Sequence, residues 1–482
     1  MQIPTTHKLA TFLSVAGAAL LVTGCNVGPD YQRPAALATA AMPVAYAQTS
    51  TSKPGKWKTA QPSAHLPRGA WWNLYNDAEL SRLESLSTSN NQQLAAAYAN
   101  FQQARALVNV ARSGFFPQLS TAPGFTRQHT NGGLSGGNAA TFNSSSVPLD
   151  TSWELDLWGR VRRTVEGARA NLTASADDLE SAKLLVQAEV AINYITLRSL
   201  EAQRDLLEKT ITTYQRSLEL TQNRRSGGIA TDYDVSLAET QLKSTEAQVP
   251  ALTLQRATLL HALATLCGQP ASSFTISATQ SSPPGVPLIP AGVPSELLER
   301  RPDVAAAERR MAAANAGVGV ASAAFYPSVT LNGSAGFQAA EAAELFNWSS
   351  RLWSVGPALQ LPLFTGGRTT ANLAVARANY DATVANYRQT VLGAFQDVED
   401  QLASQRLLAQ QLAAETAALK AARRTLEISN TRYQGGVLTY LEVAIAQSSA
   451  LNHEETVVQL SANRVAASVL LIKALGAGWR AP

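Results

Sequence analysis

An internal repeat constrains this sequence more than any other feature. Residues 225–229 (RSGGI) return as 433–437 (YQGGV), and residues 266–268 (LCG) return as 474–476 (ALG). From Gly159 onward, the two copies stay 208 residues apart without a gap. A register held over that distance indicates a duplicated chain, so one structural unit must account for both halves.

Each half reads as helix, strand, strand, very long helix and long helix. Residues 146–157 and 328–338 alternate between apolar and polar side chains, which gives a strand one apolar and one polar face. Strands of roughly ten to twelve residues cross a bilayer when tilted. The segment 129–146 between the first two strands is rich in Gly, Asn and Ser, and we expect it to be an exposed loop.

Four strands per chain are too few to close a barrel, and an open sheet edge in lipid leaves backbone groups unpaired. The pattern therefore predicts a barrel shared by several chains. Three chains would supply twelve strands, a plausible number for a membrane barrel with an open lumen. The alternative at this stage is the edge of a soluble β-sandwich.

The helices are longer than an ordinary domain requires. No proline occurs between Gly159 and Arg225, which predicts roughly 100 Å of helix. Apolar residues follow a seven-residue repeat there, a second apolar stripe runs beside the first, and residues 367–433 repeat the design. Two stripes let a helix contact neighbours on both sides, as in the wall of a tube. A long solvent-exposed hairpin that acts as a tether is the alternative.

Each long helix ends at a glycine pair, Gly227-Gly228 or Gly435-Gly436. Glycine favours the left-handed conformation that terminates helices. The chain then turns back into a shorter helix, predicted at 231–266 and at 439–474. Each chain thus has two hairpin tips.

The N-terminus predicts export. Residues 1–24 carry Lys8 and an apolar run too short for a permanent transmembrane helix, and Val22-Thr23-Gly24 precede Cys25. This order resembles a bacterial lipobox, in which Cys25 receives diacylglycerol and an N-acyl chain. Asn26 is typical of lipoproteins sorted to the outer membrane. The alternative is a buried cysteine beside an ordinary cleavage site.

The composition excludes several functions. Cys25 and Cys267 are the two cysteines, so lipidation of Cys25 leaves no intramolecular disulfide. Cleavage after residue 24 leaves 38 basic and 35 acidic residues. This near balance of charge does not indicate a nucleic-acid-binding protein. After Cys25 no run of about 18 apolar residues occurs, so we predict no transmembrane helix. The histidines lack metal-ligand spacing, and no catalytic arrangement stands out. We expect no enzyme, no metal and no cofactor beyond the acyl chains.

Taken together, the lipobox, the repeat and the tips resemble the outer membrane factor family, the TolC-like exit ducts, and most closely its NodT-type lipoproteins. The motifs that carry the resemblance occur in family order along residues 25–476. Ala78 stands where the family often has proline. The motifs are residues 25–34 (CNVGPDYQRP), Trp71-Trp72 with Asp77 and Leu80, 154–160 (ELDLWGR), 299–304 (ERRPDV) and 361–368 (LPLFTGGR).

The resemblance implies a mixed α/β membrane protein. It would be a homotrimer with a twelve-stranded β-barrel in the outer membrane and an α-helical barrel in the periplasm. Its partners would be a periplasmic adaptor protein and an inner-membrane pump of the resistance–nodulation–division (RND) type. The predicted segments are a signal peptide (1–24), a lipidated extended segment (25–70), the first repeat (71–270), a Pro/Ser-rich linker (271–293), the second repeat (294–476) and a tail (477–482).

The resemblance also suggests a gate. Family members ring the periplasmic constriction with acidic residues just past the tips, and the matching positions here are Asp234 and Glu442. We expect these two residues and Leu441 to narrow the pore. Three-fold symmetry would bring the like charges close together, which raises the cost of ionising all of them, and such a ring binds cations. Alternatively, the two acids are solvated first-turn residues that the helix dipole favours. The second acidic position and the gate-locking arginine of some members are Ile445 and Leu438 here.

The tips would also contact the adaptor. The residues expected there are Arg225, Gly227, Gly228, Tyr433, Gly435 and Gly436, and Arg224, Arg225 and Tyr433 could join the two hairpins. The leading function is a passive efflux duct for small molecules. A duct for type I protein secretion and a non-conducting trimeric structural lipoprotein are the alternatives, and the sequence leaves the cargo, the adaptor and the pump open.

Overall fold

The computed structural model describes residues 26–37, 46, 69–131, 139–276, 284–287, 289 and 300–477. The predicted signal peptide, Cys25 and much of segments 25–70 and 271–293 lie outside these residues. The chain divides into two compact units. The first comprises residues 1–35, 100–175 and 307–387, and the second comprises residues 36–99, 176–306 and 388–482.

The described helices confirm the predicted duplication. The two long helices have 67 residues each and the two that follow them have 35 each, at positions that differ by 208 in both cases. One 22-residue helix precedes the strands of each half. The helices are α1 (Ala78–Asn90), α2 (Gln92–Ser113), α3 (Arg160–Ser226), α4 (Asp232–Leu266), α5 (Pro302–Ala323), α6 (Arg368–Gln434) and α7 (Tyr440–Ala474).

Glycine ends the paired helices α3 and α6 in the same way. The second glycine of each pair has a positive φ, 76° at Gly228 and 75° at Gly436. The N–H of Ile229 donates to the Arg224 carbonyl at 2.8 Å, and the N–H of Val437 donates to the Arg432 carbonyl at 2.9 Å. This is the Schellman pattern, which satisfies carbonyls that the helix end would leave unpaired. The predicted glycine terminations are confirmed.

The strands form one antiparallel sheet in the order β1-β3-β4-β5, with β2 also paired to β3. The strands are β1 (Gln118–Thr121), β2 (Gly124–Thr130), β3 (Ala140–Leu155), β4 (Ser328–Ala339) and β5 (Arg351–Gln360). β1 and β2 share one register against β3, since Thr121 pairs with Leu149 and Gly124 with Ser146. They are one strand interrupted at Ala122-Pro123, because proline cannot donate to the ladder. Four strand positions result, as predicted.

The prediction of a loop over 129–146 was wrong in extent. β2 continues to Thr130 and β3 begins at Ala140, so ladder pairs occupy much of that segment. Apart from Phe142, its described side chains are polar or small on both faces, and sequence alternation therefore gave little signal. Backbone hydrogen bonds between the two strands hold this part of the hairpin together without an apolar face.

Cross-strand partners lie on the same side of a sheet, so the register assigns each side chain to a face. One face is apolar from Val147 to Leu155, a length of about 26 Å along the strand. The other face is polar. The apolar face carries Leu119, Phe125, Val147, Leu149, Trp153, Leu155, Val329, Leu331, Ala335, Phe337, Trp353, Val355, Pro357 and Leu359, and the polar face carries Gln118, Ser120, Ser146, Asp150, Ser152, Glu154, Thr330, Asn332, Ser334, Gln338, Ser354 and Gln360.

The turn from β3 into α3 is built by side chains of the ELDLWGR motif. The carboxylate of Asp156 accepts the backbone N–H groups of Val161 and Arg162, both at 2.9 Å. It thereby caps the first turn of α3 and complements the positive end of the helix dipole. The indole Nε1 of Trp158 donates to the Pro327 carbonyl at 2.7 Å, which joins the turn to the start of β4.

The segment 26–35 lies against α5 and the start of α3. The buried guanidinium of Arg163 donates to the Asp30 carboxylate at 2.9 Å. The Tyr31 hydroxyl donates to Oε1 of Glu308 at 2.9 Å. These long-range bonds explain why the mature N-terminal motif contains Asp and Tyr, and they fix the chain directly after the predicted lipidation residue.

The second unit contains the larger hydrophobic core, formed by side chains of α1, α3, α4 and α7. By length and composition α7 could cross a membrane, although the sequence predicted no such helix; half of its most apolar stretch is buried in this structure. Val465, Val469 and Ile472 of α7 contribute to the core, so packing accounts for much of this apolarity.

Glu84 of α1 is fully buried beside this core. Neither carboxylate oxygen has a hydrogen-bond partner within the described part of the chain. Burial raises the pKa of Glu84 well above its ordinary value of 4.5.

Substitutions at two glycines measure the cost of backbone strain separately from the cost of steric overlap. Gly228 and Gly268 both have positive φ, but a Cβ at Gly228 meets no atom within 4 Å, whereas one at Gly268 lies 2.2 Å from the Asn90 carbonyl oxygen. Gly228→Ala should cost about 1 kcal/mol, the left-handed penalty alone. Gly268→Ala should cost roughly 1–3 kcal/mol more through overpacking. Denaturant unfolding of the two variants compares them, and equal losses would contradict the structure.

Glu84→Gln tests the buried carboxyl. Because the folded-state pKa is raised, stability is highest below pH 4.5 and falls as pH rises toward the folded value. The loss is at most about 1.4 kcal/mol per pH unit. Glutamine cannot ionise, so the variant should gain thermal stability over the wild type at pH 8 and little at pH 5. Glu189→Gln, at an exposed position of α3, is the control, and parallel pH profiles would count against the account.

Candidate functional site at the hairpin tips

The first tip joins α3 to α4, and the second joins α6 to α7. In each, the helix after the tip starts with a threonine followed three residues later by an acid, Thr231 with Asp234 and Thr439 with Glu442. This spacing is the capping-box signature. This spacing is visible in the sequence, although we had not predicted a capping box from it.

Asp234 caps α4. Its Oδ2 accepts the backbone N–H of Thr231 at 2.9 Å and the Thr231 hydroxyl at 2.7 Å, and its own N–H donates to Oγ1 of Thr231 at 3.2 Å. Both orphan N–H groups are thus satisfied reciprocally. The carboxylate therefore performs the first-turn role that we had weighed against a gating role.

Glu442 occupies the equivalent position on α7. The Thr439 hydroxyl donates to its Oε2. This bond and nearby backbone N–H groups lower the pKa of the fully exposed Glu442 carboxyl, while the charge of Asp234 acts in the opposite direction. The two acids are therefore close enough to interact within one chain, although they belong to different hairpins.

Arg224 connects the two hairpins. Its Nη1 donates to the carbonyls of Tyr433 at 2.8 Å and Gln434 at 3.2 Å, the last residues of α6. Its guanidinium also lies 4.6 Å from the centroid of the Tyr433 ring. A cation at these carbonyls complements the negative end of the α6 dipole. From the sequence, Arg224, Arg225 and Tyr433 were all candidates for joining the two hairpins, and the structure shows the Arg224–Tyr433 contact.

Arg225 acts within its own hairpin. Its Nε lies 2.5 Å from Oδ1 of Asp232 across the first tip. Tyr433 is only 5% exposed, and its hydroxyl lies 3.1 Å from Oγ1 of Thr221. The structure therefore places Tyr433 inside the contact between the hairpins, whereas the side chain of Arg225 is exposed.

A small hydrophobic cluster lies beneath these polar links. Tyr440 is 1% exposed and packs edge-on against Tyr433, with ring centroids 5.6 Å apart. The other buried members of the cluster are Ala238, Val443 and Ala444. Leu441 points away from it and is 41% exposed. Tyr440 is thus a core residue, whereas Leu441, the side chain expected to narrow the pore beside the acids, is accessible.

Other apolar side chains are also exposed at the tips, namely Ile229, Tyr233, Val437 and Ile445. Exposed apolar side chains that form a contiguous patch are typical of surfaces that contact other molecules. The predicted lipidation residue, Cys25, lies outside the described residues.

Comparison with known proteins places this architecture in a family. The sequence profile of the outer membrane efflux protein family matches residues 83–269 and again residues 293–477, which are the two halves of the repeat. The outer membrane protein OprJ of Pseudomonas aeruginosa is 34% identical over 476 residues, covering 98% of this chain and 97% of its own. The cation efflux system protein CusC of Escherichia coli is 32% identical over 462 residues, covering 96% and 97%.

Solved structures agree with the sequence relatives. The outer-membrane channel OprN superposes with a TM-score of 0.85 at 31% identity, over 94% of this chain and all of the other. A CusC structure superposes with a TM-score of 0.81 at 29% identity, again over 94% of this chain and all of the other. They confirm the predicted fold class. The chain therefore belongs to the outer membrane efflux protein family and is an efflux channel of the outer membrane, not an enzyme.

Proposed function

We propose that three copies of the chain close one barrel and form the exit duct of a tripartite efflux system for small molecules. The observation that carries this proposal is the sheet, whose two faces differ in polarity and whose two edges, β1/β2 and β5, are open. The apolar face extends about 26 Å along the strand, which gives roughly 20 Å of height at a tilt of about 40°, close to the apolar band of an outer-membrane barrel. Four strand positions from each of three chains give twelve.

The names of the relatives support small molecules as the cargo. The relative TtgF of Pseudomonas putida, 34% identical over 480 residues, is named a toluene efflux pump outer membrane protein, and CusC is named a cation efflux protein. These cargoes differ in chemistry, which is consistent with a duct that does not select by tight binding. The energy would come from an inner-membrane pump of the RND type, through a periplasmic adaptor that contacts the exposed apolar tip residues.

The outer-membrane attachment would be double. Acyl chains on Cys25 would supply the lipid anchor, and the strands would supply the second element that stable attachment needs. Segment 26–35, which directly follows Cys25, is fixed against α5, so the anchor would start from a defined place on the protein.

The tips would form the gate. Three-fold symmetry would repeat Asp234, Glu442 and Leu441 around one axis, with the acids disfavouring anions and the leucine narrowing the opening. Capping and gating are compatible here, because a capping carboxylate keeps its charge. The bonds from Arg224 to the end of α6 would hold the two hairpins of a chain together in the closed state.

Single-channel recordings in planar bilayers test the gate. Asp234→Asn with Glu442→Gln removes both charges but keeps oxygen acceptors for the threonine hydroxyls, whereas Thr231→Ala with Thr439→Ala removes those hydroxyl bonds and keeps the charges. The first pair should weaken cation selectivity and enlarge the openings. The second pair should preserve selectivity. A duct that conducts equally in all four proteins would place the constriction elsewhere, and no conductance from folded trimers would favour a structural lipoprotein.

Arg224→Gln tests the link between the hairpins. Hydrogen bonds that involve a charged group contribute on the order of 1.5–3 kcal/mol, so the closed state should lose roughly tenfold or more in relative population. Arg225→Gln is the matched control, because Arg225 pairs within one hairpin. We expect a higher open probability for Arg224→Gln alone. Similar behaviour of the two variants would show that Arg224 is not the lock.

A further inference from the structure

Charged and titratable side chains of the described strands divide between the two faces of the sheet. Arg127, His129 and Arg351 lie on the apolar face, and Asp150 and Glu154 lie on the polar face. Cations on a face that would contact lipid need a reason, because a charge within hydrocarbon is costly.

Arg127 and His129 lie beyond the apolar stretch, opposite Asn143 and Thr141 of β3, and Arg351 lies at its end, opposite Phe337. On β2, the same-face series is Phe125, Arg127 and His129, so Arg127 is the first position after the last apolar residue. On β5, Arg351 likewise precedes Trp353, where the apolar series begins. Both sit towards the end of the sheet away from the starts of α3 and α6, and in the proposed duct this end would face the cell exterior.

Aromatic side chains mark this level. The Arg351 guanidinium lies 4.3 Å from the centroid of the Trp348 ring and donates to the Trp348 carbonyl at 2.7 Å. Phe346 packs edge-on against Phe337 at 5.7 Å and is largely exposed. Exposed aromatic rings at the end of an apolar band are typical of the membrane–water interface. Arg351 therefore lies at headgroup height in the proposed duct, and Arg127 follows Phe125 on the same face of β2.

The cations also lie on the two open edges of the sheet. Arg127 belongs to β2, and Arg351 belongs to β5. When copies close a barrel, the β2 edge of one copy meets the β5 edge of the next. Each seam then carries two arginines and a histidine from two chains, and neither chain supplies this group alone. This step rests on the proposed function.

We propose that each seam binds the phosphate groups of an outer-leaflet glycolipid, with its acyl chains against the apolar face. Guanidinium groups form paired charge-assisted hydrogen bonds with phosphate oxygens. Basic residues at the headgroup level attract anionic lipids. A bisphosphorylated headgroup matches two arginines on neighbouring strands, and the acids of the described strands, being on the other face, do not oppose it.

Native mass spectrometry of the purified trimer measures the binding. The probe is bisphosphorylated lipid A, compared with the same lipid after phosphate removal. Arg127→Gln with Arg351→Gln is the test variant, and Lys420→Gln with Arg424→Gln, which removes two charges from α6, is the matched control. The same preparations are recorded in planar bilayers, so that loss of the channel is seen separately.

We expect wild type and control to bind bisphosphorylated lipid A at least roughly tenfold more tightly than the test variant does. Phosphate-free lipid should bind all three proteins alike. Conducting trimers whose affinity for the bisphosphorylated lipid is unchanged by the test variant would overturn the lipid site and leave the duct standing. Protein that neither forms trimers nor conducts would overturn the duct and the site together.

Discussion

A backbone N–H or C=O group without a partner in hydrocarbon costs several kcal/mol, and the rest of this molecule depends on that constraint. The sheet has an apolar face that extends about 26 Å along the strands, yet among the described residues its two edges, β1/β2 and β5, have no partner strand. A single copy cannot satisfy those edges in lipid. Assembly is therefore a condition of membrane insertion, and the duplication supplies two strand positions per half, so that a closed barrel can be reached with few copies.

The turns between strands and helices connect the strands of the barrel to the long helices that would form the wall of the duct. The Asp156 carboxylate caps α3 directly after β3, and Trp158 ties the same turn to Pro327 at the start of β4. The tips at the other end of the long helices depend on polar contacts. Asp234 caps α4, Glu442 accepts the Thr439 hydroxyl at the start of α7, and Arg224 joins α3 to the end of α6. Polar links between hairpins can break and form again at smaller cost than a packed core, which is the property a gate requires.

The features that local chemistry decides could be predicted from the sequence. The ends of α3 and α6 follow from glycines that adopt positive φ, and the two faces of the sheet follow from alternation. The hairpin between β2 and β3 was missed, because mostly polar or small residues on both faces leave little alternation to detect. The Arg224–Tyr433 contact joins residues 209 positions apart, and no local pattern specifies such a contact. The same holds for the burial of Glu84, which depends on helices that pack around it.

Cross-linking between the edges of neighbouring copies tests the central claim most directly. Cysteines would replace Leu119 on the β1 edge and, one at a time, the apolar-face residues Trp353, Val355, Pro357 and Leu359 of the β5 edge. After oxidation in membranes, at least one pair should give covalent trimers on denaturing gels, while the single-cysteine proteins should not. Efficient cross-linking within single chains, or none for any pair in folded protein, would contradict a barrel shared between copies.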